Sequence, residues 1–327
     1  MTDLHPLILP VLTVLVGFVV LVWGAERFVV GAANTAFNLG VSPLVIGLTI
    51  VGLGTSAPEV LVAVMASLDD NQGLAVGNAI GSNIANIALI MAITAIIRPI
   101  TVQSSVVARE LPLLMIVTFS TIFLLWDLSL SRLDGLLLLV GFVLVMSWII
   151  RHAGDHPTEE IEEELDIKMH RKMSTFAAVS LLVFSIAVLV VSSKALVWGA
   201  VEIAQYLGIS DLVIGLTIVA IGTSLPELAA SVAAAAKKHH ELVVGNIIGS
   251  NIFNLLAVLA MPGLIAPTLI DPVVLSRDIP VMAILTLALF ATAYSFGNHK
   301  GRITRIEGCV LLMSFLAYMI YLYHDTQ

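Results

Sequence analysis

Two glutamates, Glu59 and Glu227, lie inside stretches of sequence that are otherwise almost wholly apolar. Each closes the same short motif, Gly54-Thr55-Ser56-Ala57-Pro58-Glu59 and Gly222-Thr223-Ser224-Leu225-Pro226-Glu227. Placing an ionised carboxylate in hydrocarbon costs roughly 2.5–3.5 kcal/mol even on insertion scales. A lone Glu can be satisfied by a neighbouring helix. The same cost carried at the same place twice points to use, and these residue types suggest binding of a hard cation. Proline has no N–H and clashes with the carbonyl four residues earlier, so Pro58 frees the carbonyl of Gly54 and Pro226 that of Gly222. Irregular backbone at membrane depth persists only where it is buried or lines a polar cavity. Each span is therefore expected to be a broken helix that presents freed carbonyls, one carboxylate, and the hydroxyls of Thr55 and Ser56 or of Thr223 and Ser224.

A second motif also occurs twice. Gly77, Gly81, Ser82, Asn83 and Asn86 recur as Gly245, Gly249, Ser250, Asn251 and Asn254. Ser82 and Asn86 are spaced i, i+4 and face the same way on a helix, as do Ser250 and Asn254. Taken alone, the glycines suit close helix packing. Beside the glutamate motif, the Ser and Asn side chains read as further oxygen ligands. Calcium takes 6–8 oxygens at about 2.3–2.6 Å in flexible geometry, and sodium also accepts uncharged oxygens. No thiolate or imidazole is expected at that depth, which disfavours zinc and copper. The histidines fall near span ends and loops, as at His152, His156, His239 and His240, and the single cysteine, Cys309, lies in the last apolar run.

The elements that must hold these groups follow from composition. The chain has 327 residues, 59% hydrophobic and 12% charged, with a mean hydropathy of +1.04. A soluble surface of this size needs more charge. Apolar runs such as 6–22, 111–125, 136–150 and 175–191 approach the roughly 20 residues that cross hydrocarbon. The first run lacks a basic start and a cleavage site, so it reads as a retained span rather than a signal peptide. The net charge of −8 offers no basic nucleic-acid surface.

The two motifs sit in one unit written twice. The second copy lies 168 residues on (215 − 47 = 168, Gly215 against Gly47), without a gap from the first motif through Arg109/Arg277; SRLDG from Ser131 matches TRIEG from Thr304 after a small insertion. About five spans per half are expected, near 6–37, 41–67, 73–97, 107–126 and 133–151, then 174–206, 211–236, 242–266, 277–296 and 304–323. An odd number per half makes the second copy enter from the opposite face, an inverted-topology repeat typical of secondary transporters. The expected organisation is thus an all-α membrane protein of about ten transmembrane helices. Residues 1–151 form the first repeat, 152–173 an acidic loop, and 174–327 the second, inverted repeat. Lysine and arginine bias places both termini outside and the acidic loop in the cytoplasm. That loop reads as a solvated linker, since it lacks the spacing and turn glycine of an EF-hand.

At these residues the chain resembles the cation/calcium exchanger superfamily, and within it the bacterial and archaeal sodium/calcium exchangers. The resemblance implies a core of the second, third, seventh and eighth helices around the ions, with the first and sixth sliding against it. Glu59 and Glu227 would be the acidic ligands for Ca2+, also used by Na+. Thr55, Ser56, Thr223, Ser224, Ser82, Asn86, Ser250 and Asn254 would complete the sites, with the carbonyls of Gly52 and Ala220 binding sodium. Several relatives carry Asp where this chain has Asn254, so these groups supply at most two negative charges here. The implied function is antiport of Ca2+ against Na+ across the cell (inner) membrane, with Ca2+/H+ exchange on the same glutamates as the alternative. Apart from the transported cations and the bilayer, no cofactor, nucleic acid or obligate protein partner is implied. No nucleotide motif or nucleophile–base pair suggests an enzyme, and a midplane inverted repeat argues against a channel.

Overall fold

The protein, described here from a computed structural model, is defined over residues 5–70, 72–152, 173–207, 220–294 and 301–325. Most of the acidic connection, the start of the second glutamate span with Gly215, and Lys300 lie outside the described residues. The first half comprises α1 (His5–Leu39), α2 (Pro43–Thr55 and Ala57–Leu68), α3 (Gln72–Ile97), α4 (Val106–Asp127) and α5 (Arg132–Arg151). The second comprises α6 (Thr175–Tyr206), α7 (Ala220–Thr223 and Leu225–Ala236), α8 (His240–Ile265), α9 (Val274–Ala293) and α10 (Arg305–Asp325). Among the described residues, eight of these helices are long and apolar enough to span a bilayer, and α2 is a ninth, bent span. In α7, Leu225–Ala236 is a shorter apolar helix, and residues 208–219 lie outside the described ones.

Burial separates core from rim. The most apolar stretch of α8 is 100% buried and that of α3 78%, whereas α1 and α5 bury 22% and α10 only 17%. Large apolar side chains on the rim, such as Leu9, Phe18, Phe123, Ile306 and Met313, point outward. This inversion of the soluble pattern is what a hydrocarbon solvent requires. The central helices are those that carry the paired motifs.

Both glutamate spans break where the prolines demand it. α2 bends by 42° at Ser56, whose φ of −84° and ψ of 9° leave the helical region. Pro58 then falls in the first turn of the following segment, where its missing N–H has no partner to lose. Ser224 repeats the geometry, with φ −90° and ψ 6°, and Pro226 opens the next turn. Four further irregularities were not foreseen from the spacing. Wider π-helical turns occupy Gly47–Val51, Asn86–Met91, Asn254–Val258 and Val274–Asp278. Such turns insert an extra residue into a helix and recur at functional sites. Two of them begin at the paired asparagines.

The halves interlock. Strand β1 (Ile100–Val102), after α3, pairs antiparallel with β4 (Gly301–Ile303), before α10. Its repeat-related counterpart joins β3 (Thr268–Leu269), after α8, to β2 (Ser129–Leu130), before α5. Accordingly α5 packs on the end of α8 and α10 on the end of α3. The matched SRLDG and TRIEG segments are helix caps: Ser131 and Asp134 bond each other's backbone N–H reciprocally, as do Thr304 and Glu307.

Backbone approaches backbone closely at the motif glycines of α8. A Cβ at Gly245 would sit 2.5 Å from the Leu44 carbonyl oxygen, and one at Gly249 would sit 2.6 Å from that of Leu48. Backbone lies on both sides, so nothing can rotate away. Gly249→Val is expected to destabilise the detergent-solubilised protein by about 3 kcal/mol or more, read as a fall in thermal unfolding midpoint. Gly73→Ala, with no described atom within 4 Å of the new methyl, is the control and should be neutral or slightly stabilising. Equal behaviour of the two variants would contradict this packing.

Candidate functional site

The bends in α2 and α7 bring the two motif copies to each other across the repeat. Glu59 and Glu227 are 1% and 2% exposed and lie within electrostatic reach of one another. Ser56, at the bend of the first half, donates its hydroxyl to Glu227 Oε1 of the second half at 3.0 Å. Thr55 is fully buried, and its hydroxyl lies 3.1 Å from the Val51 carbonyl and 3.3 Å from Asn246 Oδ1. The residues carrying Ser82, Asn86, Ser250 and Asn254 are all buried on α3 and α8, which pack against the glutamate spans: α3 contacts both, and the Asn254 turn contacts the second part of α2. Thr223 is half-buried and has a partner.

Much of this polar lining is unsatisfied. Oε2 of Glu59, Oε2 of Glu227, the hydroxyls of Ser224 and Ser250, Oδ1 of Asn86 and both amide atoms of Asn254 are buried without a hydrogen-bond partner. Buried polar groups are normally paired, because leaving one unpaired costs about 1–3 kcal/mol. Six of these open atoms are oxygens and one is an amide nitrogen; oxygens of these types are the ligands that a hard cation accepts. Among the described residues no cluster of three or more His, Cys, Asp and Glu side chains exists, so the acids act as a pair within a neutral oxygen shell.

Several participants were not singled out from sequence. Asn78 Nδ2 donates to the backbone carbonyl of Glu59 at 3.0 Å, and Asn246 Nδ2 to that of Glu227 at 3.3 Å. Both lie in the repeated Val-Gly-Asn at the head of the second motif, and recurrence 168 residues apart was the available signal. Asn246 also donates to Ser231 at 2.9 Å; the matching position in the first half is Ala63. Near the axis between the halves, Asn83 donates to the Asn251 carbonyl at 3.3 Å, and Asn86 to Asn251 Oδ1 at 3.1 Å.

The freed carbonyls fare differently from expectation. That of Gly222, released by Pro226, is taken by the Ser193 hydroxyl of α6 at 2.6 Å. A rim helix thus satisfies an atom that proline chemistry alone left open. The equivalent residue of α1 is Ala25, which has no hydroxyl to offer Gly54. Likewise the Gly52 carbonyl accepts the Ser56 N–H at 3.1 Å, whereas the Ser224 N–H bonds Ile221 rather than Ala220.

Outside the site, Arg277 makes a two-pronged ion pair with Asp278 at 2.8 and 3.1 Å, and Tyr318 donates to the same carboxylate at 2.8 Å. The Arg-acid repeat at the start of α9 is therefore a local ion pair that ties α9 to α10.

The sequence profile of the family described as "Sodium/calcium exchanger protein" matches residues 9–151 and 177–324. The chain is 48% identical over 312 residues to the putative antiporter CaxA of Alkalimonas amylolytica, covering 95% of this chain and 97% of that one. It is 31% identical to the sodium/calcium exchanger MaX1 of Methanosarcina acetivorans, covering 96% and 98%. A solved structure of the sodium-calcium exchanger NCX_Mj, soaked with zero Na+ and Ca2+, superposes with a TM-score of 0.84 at 32% identity, covering 97% of this chain and 99% of that one. The broken paired helices, the interlocked halves and these matches agree: the chain belongs to the sodium/calcium exchanger family of multi-pass membrane antiporters, which are secondary transporters rather than enzymes.

Proposed function

We propose that this protein exchanges Ca2+ for Na+ across the cytoplasmic membrane by alternating access to one site between α2, α3, α7 and α8. Calcium binds between Glu59 and Glu227. The hydroxyls of Thr55, Ser56, Thr223, Ser224, Ser82 and Ser250, the amides of Asn86 and Asn254, and the carbonyls of Gly52 and Ala220 complete overlapping sites for calcium and sodium. Both ions need the same carboxylates, so the two loads exclude each other, and that competition couples the fluxes. The observation that carries the reading is the pair of buried carboxylates from oppositely oriented halves, each with an unsatisfied oxygen beside other unsatisfied oxygens. A lipid-facing or purely structural Glu pair would not leave these atoms open.

Inequality between the halves supports alternation. Ser56 reaches Glu227, but its counterpart Ser224 has no partner. α1 packs along α7, with Lys237 Nζ on the Glu26 carbonyl at 3.0 Å; α6 makes no comparable contact with the second part of α2. A repeat whose equivalent contacts are made on one side only suits a carrier open to one face at a time. The basic residues of the loops orient the termini and the α2–α3 connection outward and the α7–α8 connection inward.

Two outcomes follow. Glu59→Gln and Glu227→Gln should each reduce calcium uptake into proteoliposomes to background, while thermal stability in detergent holds or rises, since each removes a buried charge. Normal uptake in either variant would contradict the site. An imposed sodium gradient should drive calcium uptake in the wild-type protein with no pH gradient present; uptake driven by a pH gradient alone would instead assign the proton as counter-ion.

A further inference from the structure

We propose that this protein holds one anionic phospholipid at its rim, with an acyl chain in the groove between α1 and α6 and the phosphate on Arg27 and Lys237. None of these residues belongs to the candidate ion site. The inference therefore needs the membrane fold but not the reading of transport given above.

A groove of about 610 Å³ runs between α1 and α6 on their outer face. Leu12, Val16 and Val20 of α1 line it against Phe184, Ala187 and Val191 of α6. All six are exposed. Gly17, buried in the lining, lets the two helices close on each other: a Cβ there would lie 3.3 Å from Leu196 Cγ. The two hydroxyls in the wall are spent within their own helices, Thr13 on the Leu9 carbonyl at 2.8 Å and Ser192 on the Val188 carbonyl at 2.7 Å. The groove thus offers apolar surface to its occupant. In a bilayer the group that stands against such a surface is an acyl chain.

Charge gathers beyond one end of the groove. Trp23 stands edge-on to Phe184, with ring centroids 6.3 Å apart, and the Arg27 guanidinium lies 5.6 Å from the Trp23 ring centre. Tryptophan favours the level of the headgroups. Lys237, just past the end of α7, donates to the Glu26 carbonyl at 3.0 Å and lies within electrostatic reach of Arg27 and of the Glu26 carboxylate. Arg98 donates to the Ala236 carbonyl of the same helix end at 3.2 Å, and Lys238 is exposed beside it. Four cations thus meet beside one carboxylate. Such an arrangement suits a shared anion, and the guanidinium fork matches a phosphate. From Arg27 back to Leu12 is 27 − 12 = 15 residues, about 22 Å of helix. That covers the depth of one leaflet, roughly half of a hydrocarbon core about 30 Å thick. A lipid with its phosphate at Arg27 therefore lays its chain along the groove. The α7–α8 connection, which starts with Lys237, is the one that the basic residues orient inward, where the leaflet is anionic. At the far end Lys194 stands one residue before Ala195 of the lining and is the rival anchor.

The test is native mass spectrometry of the full chain in detergent, titrated with phosphatidylglycerol or with phosphatidylcholine of the same chain length. One phosphatidylglycerol should stay bound at collision energies that strip phosphatidylcholine. Arg27→Gln combined with Lys237→Gln should weaken its retention about tenfold or more, since two charge-assisted contacts are lost. Ala187→Trp fills the groove and should abolish retention with every cation in place. Lys194→Gln should change nothing, and glycerol phosphate, a headgroup without a chain, should not displace the lipid. Equal retention of the two lipids overturns the inference. So does full retention in the Arg27/Lys237 or the Ala187 variant, loss in Lys194→Gln, or displacement by glycerol phosphate. Each variant is checked by its thermal unfolding midpoint. Should Ala187→Trp not fold, the Arg27/Lys237 variant and the comparison of headgroups decide. The readout is binding, so its outcome is separate from that of the uptake experiments.

Discussion

The structure depends on holding two carboxylates in the middle of an apolar core. Each is among the most expensive groups a membrane interior can contain, and among the described residues no lysine or arginine is an electrostatic partner of either. What the fold supplies instead is a shell of neutral dipoles: hydroxyls at the bends of α2 and α7, and amides and hydroxyls on α3 and α8. Asn78 and Asn246 grip the backbone of the two acidic residues themselves. They fix where the carboxylates start without consuming the carboxylate oxygens. A lysine in the same place would be a permanent occupant.

The scaffold around this centre is built to keep the halves in register. The two strand pairs cross from one half to the other at opposite faces, and each half's last helix packs on the other half's third. The close approach of the α8 glycines to the carbonyls at the start of α2 leaves no room for side chains between them. Close-packed backbones of this kind act as rigid bodies. The rim helices differ. α1 and α6 pack chiefly on each other, and their large side chains face outward. They also pack on α2 and α7, and hydrogen bonds join them to α7: the Ser193 hydroxyl on the Gly222 carbonyl and Lys237 on the Glu26 carbonyl.

Chemically matched groups in the two halves hold different partners. Ser56 is engaged and Ser224 is not; Asn86 is engaged and Asn254 is not; the Gly222 carbonyl is capped by a hydroxyl for which the first half has only Ala25. Some of this inequality is written in the residues, as with Ser193 against Ala25 and Ser231 against Ala63. The rest arises although the residues are identical, so it belongs to the arrangement and not to the chain.

Length and hydropathy fixed the number and limits of the helices, because a bilayer admits few alternatives to a span of about 20 apolar residues. Recurrence pointed to the duplicated plan, and proline chemistry to a break in each glutamate span just before Pro58 and Pro226, which the structure locates at Ser56 and Ser224. The choice of Glu59, Glu227 and their polar neighbours as the buried cluster was legible for the same reason: each is costly where it stands. Only the tertiary structure decided which polar atoms are spent and which remain open. The π-turns at Asn86 and Asn254, the capture of the Gly222 carbonyl by Ser193 and the grip of Asn246 on Glu227 depend on helices far apart in the chain. Periodicity reports which face of a helix is buried; it carries no information about which distant hydroxyl will arrive there.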